Sequence, residues 1–460
     1  MLPFVFVGLV VAGLVSIGIG VRATYGAQTT ADEPQYLLSA ISLFEDRDLD
    51  ISDELALERA APFREAELPV QTEVNPDGSQ LSPHGPLLPL ILALPMGLWG
   101  WVGAKASLAV IGGLLAAVTA WTMHHRFRVG FSTTFVTTLL FALAPPLAVY
   151  STQVYPEIVA GLAVIVAVGA LAADPRRPWL AMAVVIVLPW LAVKYAPVAA
   201  VLAIWLLHSA APTERRRLMA ILVVAGALFA AFHQAIYGGL TPYAAGDHFV
   251  GGELTAVGTE VNLWGRATRL VGLLVDRGFG LGSWQPLYLL IPLVAAWGWR
   301  RHPDLRWPIA VLVVAWLTAT FVALTMHGWW FPGRQLIVAL PITAVLIGVW
   351  ADETRLRLGT VAMVGAVGVA AFVILVSAGL SGEITWVVDF AATDDPLRGL
   401  ARVLLPNYMT PSPTTWALHG LWSVIVGGAL FYGWRSARSV AGGHQETEAQ
   451  AATVAAHVNL

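Results

Sequence analysis

Long apolar runs alternate with short polar segments over almost the whole chain. A helix needs about 20 apolar residues to cross the hydrocarbon core of a bilayer, and by that criterion the sequence contains about twelve transmembrane helices. The sequence therefore predicts an all-α, polytopic membrane protein. The predicted spans are residues 3–21, 104–123, 131–149, 158–173, 179–193, 195–209, 218–237, 285–299, 308–325, 335–350, 360–380 and 416–434.

The composition agrees with this pattern and excludes several functions. Hydrophobic residues make up 57% of the chain and charged residues only 12%, and the mean hydropathy is +0.71, which is unusual for a soluble domain. A net charge of -3 offers no basic surface for nucleic acid. The chain has no cysteine, which excludes disulfides, thiol catalysis and zinc sites with cysteine ligands.

Clusters rich in arginine separate the apolar runs at spacings that allow a pair of spans between successive clusters. Positively charged loops are retained on the cytoplasmic side, so we expect all these clusters and both termini to be cytoplasmic in a multi-pass plasma-membrane protein. The first apolar run lacks a clear cleavage site and is predicted to be a retained span. The clusters lie at residues 124–128, 176–177, 215–217, 300–306, 355–357 and 435–438.

This topology predicts a single transmembrane domain over residues 1–440, followed by a disordered cytoplasmic tail at 441–460. The first outer loop, residues 22–83, is far longer than an ordinary connection, and it includes an amphipathic stretch typical of an interfacial helix. Residues 84–101 are apolar but rich in proline, and we predict a juxtamembrane or re-entrant helix there. Further outer loops are predicted at residues 238–284, 326–334 and 381–415.

Carboxylates near the outer ends of the spans are the first candidates for chemistry. Asp32 and Glu33 follow the first span, where a carboxylate could act as a general base or a metal ligand. The alternative is that Glu33, followed by Pro34, caps the interfacial helix. Glu157 lies in the next outer loop, and a carboxylate at membrane depth indicates a functional site. His84 ends the first outer loop on the same face.

Cations on the outer side could complement these acids. Lys194, one of two lysines in the chain, interrupts two apolar runs and requires an anionic partner unless its ammonium group reaches the interface. Arg334 follows a glycine and an aromatic run, and its guanidinium could bind a phosphate. Trp329 and Trp330 fit an aromatic belt, but they could also stack on a sugar face.

Together these segments resemble the GT-C superfamily of integral-membrane glycosyltransferases that use polyprenyl-phosphate sugars, over roughly the first 350 residues. The likeness is greatest to protein O-mannosyltransferases and to the aminoarabinose transferases that modify lipid A. One departure is that His84 stands where this family often has a lysine before proline. The matching motifs are Ala31-Asp32-Glu33-Pro34-Gln35-Tyr36, Pro83-His84-Gly85-Pro86-Leu87, Tyr155-Pro156-Glu157, Lys194-Tyr195 and Gly333-Arg334.

The resemblance implies a single inverting displacement at the anomeric carbon of the donor sugar. Asp32, or alternatively Glu33, would take the proton from the acceptor hydroxyl. The leaving polyprenyl phosphate would be stabilised by Arg334, by Lys194 or by a divalent cation, Mg²⁺ or Mn²⁺, with Asp32 and Glu157 as its ligands. The acceptor would be an envelope lipid, glycan or protein, and the surroundings are membrane lipids. The implied substrate-binding residues are Gln35, Tyr36, His84, Tyr155, Glu157, Lys194 and Arg334.

Two other functions fit the topology alone. A secondary transporter or lipid flippase would have many spans and charges within the membrane, but it predicts repeat symmetry and charges along a central path. Here the candidate acids cluster in the first third of the chain, on one face. A non-catalytic envelope-assembly protein that kept the same fold is the third possibility.

Overall fold

The computed structural model describes residues 1–69, 71–246, 262–393 and 396–458, with side chains described up to Ala437. These residues form helices and isolated β-bridges, and no strand is found among them. The helices of the first half are α1 (Leu2–Ser16), α2 (Glu33–Glu45), α3 (Ser52–Ala56), α4 (Leu87–Arg126), α5 (Phe131–Ala142), α6 (Leu147–Tyr150), α7 (Glu157–Leu171), α8 (Pro178–Leu191), α9 (Ala196–Ser209) and α10 (Pro212–Tyr237). Those of the second half are α11 (Leu263–Ala267), α12 (Arg269–Val275), α13 (Ile291–Arg301), α14 (Arg306–Leu317), α15 (Leu340–Ala351), α16 (Arg355–Leu380), α17 (Pro396–Leu404) and α18 (Pro413–Val458).

Each predicted span coincides with a helical segment, and the prediction of an all-α polytopic membrane protein is confirmed. The predicted span at 131–149 is divided into α5 and α6 around Pro145 and Pro146, because proline cannot continue the hydrogen-bond ladder. Within the described ranges, seven helical segments are long and apolar enough to cross a membrane: Leu2–Gly20, Leu87–Arg126, Pro212–Ala245, Pro303–Val322, Arg334–Ala351, Arg355–Leu380 and Pro413–Ala437. The shorter apolar helices are Phe131–Ala142, Glu157–Leu171, Pro178–Leu191 and Val193–Ser209.

The proline-rich stretch at 84–101 forms the first part of α4, a helix of 40 residues. A straight helix of that length would measure about 60 Å, twice the hydrocarbon thickness of a bilayer. A sharp kink at Gly100 (φ 62°, ψ -160°) divides α4, and glycine adopts this positive φ without a steric penalty. The juxtamembrane position of the part before the kink stays a prediction.

Helix α2, in the first outer loop, is more enclosed than the amphipathic pattern predicts. Residues 33–42 are all buried, whereas a helix lying at an interface would expose one face. Its later part packs on α4 so closely that a Cβ on Gly97 would lie 2.2 Å from the Phe44 ring. Near the end of this buried stretch, the Ser42 hydroxyl donates a hydrogen bond to Asp48 at 2.8 Å.

The last helix continues beyond the predicted end of the transmembrane domain. Helix α18 ends at Val458 and so includes most of residues 441–460, for which the composition predicts a disordered tail. The cytoplasmic location of this segment stays a prediction.

Helices α1 and α4 run antiparallel and cross at small residues. At one end the Phe4 ring lies 5.3 Å from that of His125, and in the middle a Cβ on Gly113 would come within 2.3 Å of the Gly8 carbonyl oxygen. Small residues allow such close backbone approach between membrane helices. This crossing brings the outer part of α4, including Lys105, beside the chain that follows α1, where Asp32 lies.

Gly113→Leu should therefore separate α1 from α4 and destabilise the protein, because overpacking a tight contact costs about 1–3 kcal/mol or more. Gly13→Leu is the matched control, since a Cβ at Gly13 meets no atom within 4 Å. We expect a clear fall in the thermal unfolding temperature of the detergent-purified Gly113→Leu protein and little change in the control. Equal melting temperatures for the two variants would contradict this packing.

Candidate active site

Four charged side chains from distant parts of the chain meet where several helices begin or end. The Arg334 guanidinium donates from Nη2 to Oδ2 of Asp32 at 2.6 Å and from Nε to Oε1 of Glu157 at 2.9 Å. The Lys194 ammonium donates to the same Glu157 oxygen at 2.6 Å. The sequence singles out each of these residues, and the structure places them in one network.

Backbone geometry and aromatic rings fix the orientation of Arg334. Gly333, just before it, has φ 85°, a left-handed conformation that favours glycine. The guanidinium carbon lies 3.9 Å from the ring centroid of Tyr155 and 5.2 Å from that of Trp330, as in cation–π contacts. The planar group is thereby held so that two of its edges face two different carboxylates.

Glu157 and Lys194 are placed by breaks in the helices. Glu157 is the first residue of α7, after Pro156, and a helix N-terminus favours a negative side chain. Helix α8 ends at Leu191, the backbone at Ala192 is extended, and Lys194 lies in a short 3₁₀ turn before α9. Of the two alternatives that the sequence leaves for Lys194, the structure supports the one with an anionic partner.

The network is electrically balanced, with two carboxylates and two cations. This balance matters because a buried charge is tolerated only when it is paired and hydrogen-bonded. The Glu157 side chain is 1% exposed, whereas that of Asp32 is 22% exposed, so Asp32 is the more accessible acid. Burial acts to raise the pKa of Asp32, but Arg334, together with His84 and Lys194, outweighs it and holds this pKa well below its usual range.

Glu33 is adjacent to Asp32 in sequence but points elsewhere. It is fully buried, and its two carboxylate oxygens accept hydrogen bonds from the backbone N–H groups of Thr30, at 2.8 Å, and Val154, at 2.6 Å. Thr30 lies before the helix and α2 has no side-chain cap hydrogen bond, so this bond differs from the capping role that the sequence leaves open. The acidic pair is thus divided: Asp32 belongs to the charged network, and Glu33 binds backbone.

The other predicted binding residues differ in their relation to this network. The Tyr36 ring stacks on the His84 ring at 4.8 Å, and Nε2 of His84 lies 2.9 Å from Oε1 of Gln71. The charge of His84 acts on Asp32, so this stack lies beside the network. The Tyr155 ring contacts the Arg334 guanidinium of the network, and the Tyr155 hydroxyl donates a hydrogen bond to the Thr30 carbonyl at 3.2 Å. Gln35 is buried, and its side chain makes no hydrogen bond to the four charged residues of the network.

One charged residue near the site is not among the candidates that the sequence predicts. Lys105 lies within the predicted span at 104–123 and is fully buried, and its ammonium donates to the carbonyl of Gln28 at 2.6 Å. A lysine inside an apolar run is itself a signal of function, because an intramembrane charge needs a partner. The average hydropathy of the run obscures that signal.

Asp32 and Glu157 are also predicted as ligands of a divalent cation. In this structure Arg334 lies between them and donates to both, so a guanidinium holds the place that a shared Mg²⁺ or Mn²⁺ would take. An added divalent ion would also face Lys194. This donor set does not fit a metal bridging the two carboxylates, and we derive the chemistry from the side chains alone.

A cavity of about 620 Å³ is lined by residues from the segments that carry His84 and Lys194, although none of the four charged residues lines it. Trp190, four residues before Lys194, and Leu87, three residues after His84, both line it. The lining is mostly apolar, and Arg47, Asp48 and Asp50 from the first outer loop contribute its polar part. Such a cavity suits a hydrocarbon chain with a polar head.

Comparisons with known proteins identify a fold and no family. No family model matches the chain, and no curated protein matches it. A similar solved structure is that of ArnT from Cupriavidus metallidurans bound to undecaprenyl phosphate, with a TM-score of 0.50 and 13% identity, covering 93% of this chain and 70% of that chain. At this identity the likeness shows a shared polytopic membrane fold alone.

Arg334→Met should leave Asp32 and Glu157 with one cation between them, and breaking a buried pair typically costs about 3–5 kcal/mol. Without Arg334, burial raises the pKa of Asp32. When the pKa of an aspartate is higher in the folded than in the unfolded protein, the free energy of unfolding is greatest at a pH below the usual aspartate pKa. It decreases as the pH rises. The difference in melting temperature between wild type and variant should therefore be larger at pH 8 than at pH 5.

The control is Arg22→Met, which removes an ion pair with Glu65 whose side chains are 44% and 68% exposed. Pairs exposed to this degree contribute little, so we expect a small difference that is the same at both pH values. A deficit for Arg334→Met that stays constant or shrinks as the pH rises would contradict the assigned ion pair.

Proposed function

We propose that this protein is a membrane glycosyltransferase that moves a sugar from a polyprenyl-phosphate donor to an envelope lipid, glycan or protein. The observation that carries the proposal is Arg334, held by aromatic rings between Asp32 and Glu157 with Lys194 alongside. This arrangement combines an accessible carboxylate, as a base, with two cations for a phosphate. The GT-C-like fold and a mostly apolar cavity lined by the first outer loop and by Trp190 support the same function.

In this mechanism Asp32 accepts the proton of the acceptor hydroxyl while the hydroxyl oxygen attacks the anomeric carbon. The bond from that carbon to the phosphate oxygen breaks in the same step, and the configuration inverts. Negative charge grows on the leaving polyprenyl phosphate, where Arg334 and Lys194 provide fixed donors. Glu157 holds both cations in place, since its Oε1 accepts from each of them.

The ion pair between Asp32 and Arg334 links donor binding to base strength. While Arg334 donates to Asp32, the pKa of Asp32 is well below its usual range, which makes the carboxylate a weak base. A bound donor phosphate competes for the same guanidinium edge. Once Arg334 turns to the phosphate, burial of Asp32 is less opposed, its pKa rises, and it becomes a stronger base only with donor present.

The surroundings provide places for the sugar and the lipid. The Trp329 side chain is 65% exposed on the loop that leads to Arg334, and an exposed indole face can stack on a sugar ring. The apolar cavity would hold a hydrocarbon chain of a lipid substrate.

We place the reaction at the extracytoplasmic face of the plasma membrane, with both termini in the cytoplasm.

Asp32→Asn tests this function because it keeps the shape of the side chain but removes the base. With purified protein and a panel of polyprenyl-phosphate sugars, we expect kcat to fall about 10²- to 10⁴-fold, the usual contribution of a general base. Binding of undecaprenyl phosphate should be as tight as in wild type or tighter, since the amide no longer competes as an anion for Arg334.

The control for this test is Asp46→Asn, an exposed acid of the same outer loop. We expect wild-type transfer from it. Full activity of a normally folded Asp32→Asn protein would exclude Asp32 as the base. Movement of a lipid across vesicles by wild type, without covalent transfer from any donor, would favour a flippase.

A further inference from the structure

Lys105 is a fully buried cation that the proposed reaction does not use. Its ammonium donates to the Gln28 carbonyl at 2.6 Å and lies 5.7 Å from the Trp101 ring centroid. Among the residues that the structure describes, it has no hydrogen bond to Asp32, Glu157, Lys194 or Arg334. A lysine held this deep in a helix bundle requires a compensating charge.

Glu33 is the acid whose charge acts on Lys105, although no ion-pair contact joins the two among the described residues. Both residues have 0% exposure, and the chain between Gln28 and Asp32 connects the points that they bind. Glu33 also holds two backbone segments together, because it accepts from Thr30 in the loop after α1 and from Val154 just before α7. Lys105 and Glu33 therefore bind the same stretch of backbone near its two ends. Lys105 donates to the Gln28 carbonyl, and Glu33 accepts from the Thr30 N–H group.

That stretch, residues 28–31, is held at each successive carbonyl group. A side chain from another part of the chain donates to each one, so the segment can move only if several bonds break together. The donors are Lys105 to Gln28, Arg64 to Thr29 at 3.3 Å, the Tyr155 hydroxyl to Thr30 at 3.2 Å, and Gln71 to Ala31 at 3.4 Å.

The held segment ends in a strained residue directly before Asp32. Ala31 has φ 47°, in the left-handed region that residues with a Cβ rarely adopt because of steric repulsion. Such a conformation persists only where the surroundings impose it. The direction in which Asp32 leaves this turn therefore depends on the contacts that hold residues 28–31.

We propose that Lys105 and Glu33 are positioning residues that hold residues 28–31 in this strained turn and so direct the Asp32 carboxylate at Arg334. The proposal rests on the proposed function of Asp32 as the base. Neither residue contacts substrate; they act through the backbone. A displacement of about 1 Å at a reacting group can lower a rate about 100-fold, so loss of either residue should reduce kcat more than donor affinity.

The test compares Lys105→Met, which keeps length without charge, with Ser107→Ala two residues away. Ser107 donates only within its own helix, to Gly103 at 2.9 Å. For Lys105→Met we expect faster hydrogen–deuterium exchange in the peptides covering residues 28–33 and 152–156. We also expect kcat to fall about 10- to 100-fold, with the KM for donor changed less than about threefold. Ser107→Ala should match wild type in both.

The exchange measurement is independent of the proposed reaction. If wild type transfers no sugar, the proposed function fails. Faster hydrogen–deuterium exchange in Lys105→Met would still support the role of Lys105 in holding residues 28–31. Unchanged exchange in that variant overturns the proposal whatever the activity. Faster exchange with wild-type kcat also overturns it, because the held turn would then be irrelevant to Asp32.

The double variant Lys105→Met with Glu33→Gln separates positioning from stability, and it serves if the single variant does not fold. Replacing both members of a buried pair leaves no uncompensated charge and is often neutral for stability. We expect its melting temperature to return towards that of wild type while kcat stays low, since nothing donates to Gln28. Recovery of kcat together with stability would overturn the positioning role.

Discussion

The burial of four charges in one balanced network is the constraint on which the arrangement of the helix ends around it depends. Asp32, Glu157, Lys194 and Arg334 could not be enclosed singly among apolar helices, because each would lose its hydration without compensation. Together they carry no net charge, and Arg334 joins both acids. Helix ends, a glycine turn and two aromatic rings converge on the point where these charges meet.

The same constraint suits the chemistry that we propose. A network held together by one guanidinium can be opened by a ligand that offers a better anion, and a polyprenyl phosphate is such a ligand. The reaction then needs no large movement of helices, only an exchange of partners on Arg334. The turn before Asp32 remains fixed meanwhile, since Lys105, Arg64, Tyr155 and Gln71 hold its carbonyl groups.

Much of this architecture can be predicted from the sequence because a bilayer imposes a simple length and polarity on each span. The four charged residues are also recognisable, since charges beside apolar runs are few. Their pairing is not: Asp32 and Arg334 are 302 residues apart, and no local pattern indicates that they meet. Lys105 is hidden by the averaging of hydropathy, and the separate roles of Asp32 and Glu33 depend on a turn at Ala31 that propensity does not predict.

The exchange of partners on Arg334 is tested most directly by a structure of this protein determined with undecaprenyl phosphate bound. We expect the phosphate to lie on Arg334 and Lys194, the bond from Arg334 to Asp32 to be broken, and Asp32 to stay in place beside the phosphate. A phosphate bound elsewhere, with the ion pair between Asp32 and Arg334 still intact, would contradict it.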